Sequence, residues 1–155
     1  MALRDAAHRH RSRLLVSDRA DVALAVDADG VQVGARGLAA ADARRVMGMG
    51  RLLGVSVHSV EEGRAAMEGA PDFLLAGTIW ETPSHPGRPA AGVGRIAEIA
   101  ALGVPVIAIG GVTPARAADA RGAGAAGIAV LRGVWDAADP AVAVVEYLDA
   151  WKGTS

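Results

Sequence analysis

The sequence predicts an α/β fold built on a parallel sheet. Six short apolar runs recur along the chain, and helix-like, mostly alanine-rich stretches separate them. The runs are mostly continuous in Val, Ile and Leu, with little polar alternation, as strands covered on both faces should be. Strands alternating with helices make βαβ units, whose crossovers place helices against a parallel sheet.

The elements follow in order. Arg13–Ser17 (RLLVS) is the first strand, with a helix expected over 19–27. Gly30–Val33 (GVQV) leads to a helix over 40–47, and Leu53–Val57 (LGVSV) to one over 59–68. Ser59 followed by Glu61 and Glu62 is a helix-start signal. Asp72–Gly77 (DFLLAG) enters a long loop before a helix over 93–102, which Leu102-Gly103 should close. Val104–Ile109 (VPVIAI) precedes a helix over 114–121, with Thr113 ahead of Pro114 at the first helical position. "GAGA" at 122–125 stops that helix; Ala126–Leu131 (AGIAVL) and a helix over 139–151 complete the pattern.

Composition narrows the function classes. A length of 155 residues suits one domain, 1–155. Sixteen basic against seventeen acidic side chains leave a net charge of −1, which attracts neither nucleic acid nor an anionic membrane. With no cysteine there is no disulfide framework, thiolate metal site or cysteine nucleophile. No apolar run approaches the roughly 18 residues of a membrane span. The N-terminal MALRDAAHRHRSR lacks an apolar core, so it is not a secretory signal and the expected location is cytoplasmic. His8 and His10, two apart, make no ready metal site; with Arg9, Arg11 and Arg13 they read as the solvated face of a residual helix.

The dinucleotide fingerprint G-x-G-x-x-G is absent after the first strand. "GRPAAGVG" (87–94) has neither that spacing nor a P-loop lysine. The last two strands end instead in "IGGVTP" (109–114) and "AVLRG" (129–133). Barrel enzymes often bind phosphate with backbone amides after their last two strands, and glycine lets the backbone approach. Gly110 and Gly111 alone fit a tight turn equally well; paired with the loop around Leu131 and Arg132, they favour phosphate binding. The loop "GTIWETPSHPGRPAAG" (77–92) carries three prolines, Glu81, His85 and Trp80 directly after an apolar strand, which suggests a turn, a lid or a ligand site.

Five segments, "VSDRADVALAVDADGVQVG" (16–34), "GVSVHSVEEG" (54–63), "GTIWETPSHPG" (77–87), "PVIAIGGVTP" (105–114) and "GAAGIAVLRGVW" (124–135), resemble successive segments of the thiamin phosphate synthase/TenI superfamily. The resemblance implies a partial (β/α) TIM-type barrel, its six parallel strands corresponding to strands 3–8 of a (β/α)8 barrel. The first two βα units would be missing, through truncation or supply by association, and the open sheet edges would favour self-association. It also implies binding of a thiazole phosphate or related thiamin precursor. The closer branch is TenI-like, a thiazole tautomerase; the alternatives are thiamin phosphate synthase and a ligand-binding remnant without activity.

The resemblance also distributes roles. Asp18 corresponds to a magnesium-binding carboxylate of the synthase, but Gly37 stands where the second carboxylate would be. Magnesium is therefore expected only for the synthase reading, and no cofactor for the TenI-like one. The competing role for Asp18 is N-cap of the helix over 19–27. Ser56 falls among pyrimidine-binding residues, while His58 reads as structural. Thr82, Ser84 and His85 occupy a segment that contacts pyrophosphate in the synthase, with His85 in place of a lysine. The tautomerase's proton-moving histidine corresponds to Thr78, which cannot move a proton. His85 or Glu81 is then the catalytic candidate. A serine of the family is replaced by Arg132, whose guanidinium would add charge to the phosphate site.

Overall fold

A computed structural model describes residues 2–84, 87 and 89–153. The chain forms an α/β fold whose six parallel strands lie in sequence order, β1 to β6. It divides into two compact units, one of residues 1–57 and 61–74, the other of 58–60 and 75–155.

The first unit opens with α1 (Ala2–Arg9), the helix expected around His8 and His10, followed by β1 (Leu15–Ser17), α2 (Ala20–Ala25) and β2 (Gly30–Val33). Next come α3 (Ala40–Met47), β3 (Leu52–Val57), α4 (Val60–Ala66) with a 3-10 turn at Met67–Gly69, and the start of β4 (Phe73–Ala76). Parallel register pairs Leu15 with Gly30 and Gly30 with Leu52. Val31, Val33, Leu53, Val57 and Leu74 are buried, and Ala20, Ala23, Ala40, Ala43 and Met47 bring the inner faces of α2 and α3 into this core. Alanine on those faces lets helix and sheet approach closely. His8 is not purely solvated, as the sequence reading had it: its Nε2 lies 2.9 Å from Asp29 Oδ2.

The second unit contains the end of β4, α5 (Gly94–Ala100), β5 (Val106–Ile109), a 3-10 turn at Pro114–Arg116 and α6 (Ala117–Gly122). It continues through β6 (Gly127–Ala129), α7 (Arg132–Trp135) and α8 (Pro140–Lys152). Strands β5 and β6 pair in parallel, Ile107 opposite Gly127. Ile96, Ile99, Val106, Ala108, Ala117 and Ala120 form its core. On β5 the residues alternate, Val106 and Ala108 buried and Ile107 and Ile109 half-buried, so one face is fully covered and the other partly open. The expected helix stop at Leu102-Gly103 is present, with Gly103 at φ +81°.

Candidate functional site

In the first unit the candidate residues sit at the ends of β1, β2 and β3. Asp18 follows β1 in the left-handed region, at φ +58°, and its Oδ1 accepts the Gly34 N–H at 2.7 Å. Aspartate tolerates this conformation better than most non-glycine residues. The N-cap role expected for Asp18 is not what the structure shows: Arg19 occupies the N-cap of α2, and no side chain caps it. Asp18 instead ties the end of β1 to the loop after β2. Gly37 belongs to the same arrangement, since a Cβ there would lie 2.5 Å from Asp18 Oδ1.

These donors do not fit a magnesium ion. Asp18 is a single carboxylate already engaged by a backbone N–H, Gly37 supplies no oxygen-bearing side chain, and no cluster of three metal-ligating side chains occurs among the described residues. Magnesium needs several oxygen ligands in near-octahedral geometry.

Ser56 is half-buried near the end of β3. Gln32, half-buried on β2, donates from Nε2 to Ser56 Oγ at 2.6 Å and to Val33 O at 3.0 Å. The parallel register sets Gln32 opposite Gly54, two residues before Ser56, which brings the side chains together. Reading the sequence missed Gln32. The available signal was one polar residue inside the otherwise apolar "GVQV". Together the pair offers amide and hydroxyl groups suited to a polar heterocycle.

The second unit brings two predicted segments together. The start of the proline-rich loop lies along the Gly110–Gly111 turn. Ile79 N–H donates to Ile109 O and Trp80 N–H to Gly110 O, both at 3.0 Å. A Cβ on Gly110 would come 2.7 Å from Thr78 Cγ2, and one on Gly111 would strike Glu81 O and Trp80 Cβ. With φ of +92° and +65°, both positions also favour glycine on backbone grounds. Glycine is required here because another strand-end loop passes against the turn.

The turn's remaining carbonyls are held by side chains. Arg116 donates from Nη1 to Gly111 O at 2.6 Å, and its guanidinium lies 5.5 Å from the centre of the Trp80 ring. Tyr147, buried on α8, donates its hydroxyl to Val112 O at 3.1 Å. Burial, then the neighbouring Glu146, raises the Tyr147 pKa, so the phenol keeps the proton it donates. A Cβ on Gly133 of α7 would meet the Tyr147 hydroxyl, so this phenol also links the turn to the second predicted phosphate segment. Neither Arg116 nor Tyr147 was singled out from the sequence.

Leu131 is exposed at the N-terminal end of α7. Arg132 does not stand as a free cation: its Nε lies 2.7 Å from Asp136 Oδ2, one helical turn on. That carboxylate offsets the charge expected to serve phosphate. Thr82 is half-buried and Ser84 exposed, and the Ser84 N–H donates to Thr82 Oγ1 at 3.3 Å. Glu81 is exposed, and His85 lies outside the described residues. Thr78 is buried. A shallow cavity of about 410 Å³ lined by Pro114, Ala115, Glu146, Asp149 and Ala150 contains none of the predicted site residues, and its carboxylates would repel phosphate.

Comparison with known proteins shows the family to which the chain belongs. A family model described as thiamine monophosphate synthase matches residues 1–134. The chain is 44% identical over 151 residues to the thiamine biosynthesis bifunctional protein ThiM/ThiE of Symbiobacterium thermophilum, covering 95% of this chain and 31% of that protein. It is 46% identical over 132 residues to the thiamine-phosphate synthase of Roseiflexus sp. strain RS-1, covering 84% of this chain and 56% of that one. The chain thus spans about a third to a little over half the length of these two relatives. Among solved structures, a thiamine phosphate pyrophosphorylase from Pyrococcus furiosus superposes with a TM-score of 0.88 at 33% identity, covering 97% of this chain and 73% of that one. The model match extends over most of the chain and includes Asp18, Gln32, Ser56 and the Gly110–Gly111 turn, so the chain belongs to the thiamine monophosphate synthase family.

Proposed function

We propose that this chain carries the substrate-binding residues of a thiamine-phosphate synthase, which joins a pyrimidine pyrophosphate to a thiazole phosphate with release of pyrophosphate. The observation that carries this reading is the Gly110–Gly111 turn. Carbonyls from Ile109 to Val112 are all engaged as acceptors, by Ile79, Trp80, Arg116 and Tyr147 in turn. A trans peptide directs its N–H opposite to its C=O, so the amides of Gly110, Gly111 and Val112 are fixed away from these partners, where they serve a phosphate. The Gln32–Ser56 pair would orient the pyrimidine. In this reaction the thiazole nitrogen attacks the carbon that loses pyrophosphate, a displacement that depends on positioning and needs no acid–base group. No step here passes through a metal held by Asp18.

The Roseiflexus relative is called a thiamine-phosphate synthase, and the TenI-like reading lacks a proton carrier in its usual place. Thr78 stands there, buried with its methyl group near Gly110. Among the described residues of the 77–92 loop, Glu81 is the one titratable side chain, and it is exposed.

The test supplies both substrates in magnesium-containing buffer and follows pyrophosphate. Pyrophosphate released in step with thiamin phosphate is expected. Tautomer turnover without pyrophosphate, abolished by His85→Ala or Glu81→Gln, would transfer the assignment to a TenI-like isomerase. Binding of thiazole phosphate with neither reaction would leave only the ligand-binding role. Self-association through the edge strands β1 and β6 belongs to the same proposal, and a monomer mass at every concentration in sedimentation would remove it.

A further inference from the structure

We infer that Arg116 is a positioning residue for the phosphate-binding turn, acting through the Gly111 carbonyl and the Trp80 ring without touching the phosphate. The inference rests on the phosphate reading proposed for Gly110 and Gly111. Three contacts place Arg116 in this role. Its Nη1 donates to Gly111 O at 2.6 Å, a short charge-assisted bond. Its guanidinium carbon stands 5.5 Å from the Trp80 ring centre, within cation–π range. Trp80 in turn donates its backbone N–H to Gly110 O at 3.0 Å. Arg116 therefore holds the turn twice, directly at residue 111 and through Trp80 at residue 110.

The consequence is directional. Gly111 O and Val112 N–H belong to one peptide plane, so fixing the carbonyl toward Arg116 fixes the Val112 N–H on the opposite side. Gly111, at φ +65° and without a side chain, has little of its own to resist a flip of that plane. A guanidinium suits the task because it remains charged and spreads its donors over a planar group: one nitrogen reaches the carbonyl while the central carbon stands over the indole. A lysine at 116 would keep the charge and a donor for the carbonyl but could not reach carbonyl and indole with one delocalised group.

The experiment titrates thiazole phosphate, and inorganic phosphate in parallel, into the ¹⁵N-labelled full chain and its Arg116→Met and Arg116→Lys variants. In the unsubstituted chain the amide signals of Gly110, Gly111 and Val112 should move with phosphate. Arg116→Met should weaken binding about tenfold or more, the scale of one hydrogen bond to a charged group, with Arg116→Lys recovering part of the loss. The thermal midpoints report folding separately. In a Trp135→Phe, Trp151→Phe background, where Trp80 is the remaining tryptophan, phosphate should change the emission, and Arg116→Met should abolish that response. Wild-type affinity and an intact Trp80 response in Arg116→Met, with the three amides still moving, overturn the inference and leave the phosphate reading standing. Amides that stay still in the unsubstituted chain overturn both.

Discussion

Arg44 makes five hydrogen bonds with one guanidinium. Nε donates to Gly69 O at 3.2 Å, Nη1 to Gly48 O and Arg51 O, and Nη2 to Ala70 O and to Asp72 Oδ2 at 2.8 Å. It thereby joins the C-terminal end of α3, the start of β3 and the turn before β4, and it is almost fully buried. The neighbouring Arg45 is exposed and pairs with Asp42 across a turn of the same helix. Replacing Arg44 by Met keeps the apolar stem but leaves the carbonyls without their donor and Asp72 with the Leu53 N–H alone. We expect a loss of about 2–3 kcal/mol, the scale of leaving buried acceptors unsatisfied, since the Asp72 side chain is 41% exposed and solvent screens the pair. Arg45→Met should cost under about 1 kcal/mol. Urea denaturation of both variants measures the contrast; equal losses would refute it.

Among the elements, α8 shows what a sequence carries and what it leaves out. Its span was expected at 139–151 and is found at Pro140–Lys152. The Asp139 side chain accepts from the Ala141 and Val142 N–H groups at 2.9 and 3.2 Å, and Pro140 opens the helix without needing a donor. Asp139→Ala should therefore cost about 1 kcal/mol of stability, read from the denaturation midpoint, and an unchanged midpoint would deny the cap. The inner face of α8 was harder to read. In "PAVAVVEYLDAWK" apolar residues surround the helix, so periodicity does not single out Ala143 and Tyr147, the two that are buried. The same limit applies to the site. The strands, their order and the glycine turn were legible because continuous apolar runs and paired glycines have few structural meanings. Gln32, Arg116 and Tyr147 were not, because each acquires its role from a partner 24, 5 or 35 residues away. Arg132 shows the converse: its charge was visible, whereas its pairing with Asp136 depended on the short helix α7.

At the scale of the whole molecule, the carboxylate shifts resolved among the described residues fall on one side of the division into two units. Asp29 is held below the ordinary carboxylate range by the Leu14 N–H, then by His8 and Arg13. For Asp72, burial pushes upward, but the hydrogen bonds from Arg44 and the Leu53 N–H outweigh it and the net shift is downward. Asp21, paired with Arg19 at the exposed surface, is lowered to about 2 and contributes little to stability because solvent screens the pair. All three belong to the first unit; in the second, the resolved shift among described residues is the upward one of Tyr147. A carboxylate whose pKa is lower folded than unfolded stabilises the fold fully above its unfolded value, near 3.9, and that contribution is lost as pH falls through the folded value. Acid should thus weaken the first unit before the second. Amide exchange between pH 6 and about pH 3, corrected for intrinsic rates, should show Val31, Leu53 and Leu74 losing protection while Ile96, Ile99 and Ala108 keep more of theirs. Asp72→Asn should lower the first unit's stability at pH 6, with the difference from the unsubstituted chain shrinking as pH falls below about 4 and the native carboxylate protonates. Loss of protection in equal measure across both units would show that the acid-sensitive anchors around Asp29 and Asp72 support the whole chain as one cooperative structure.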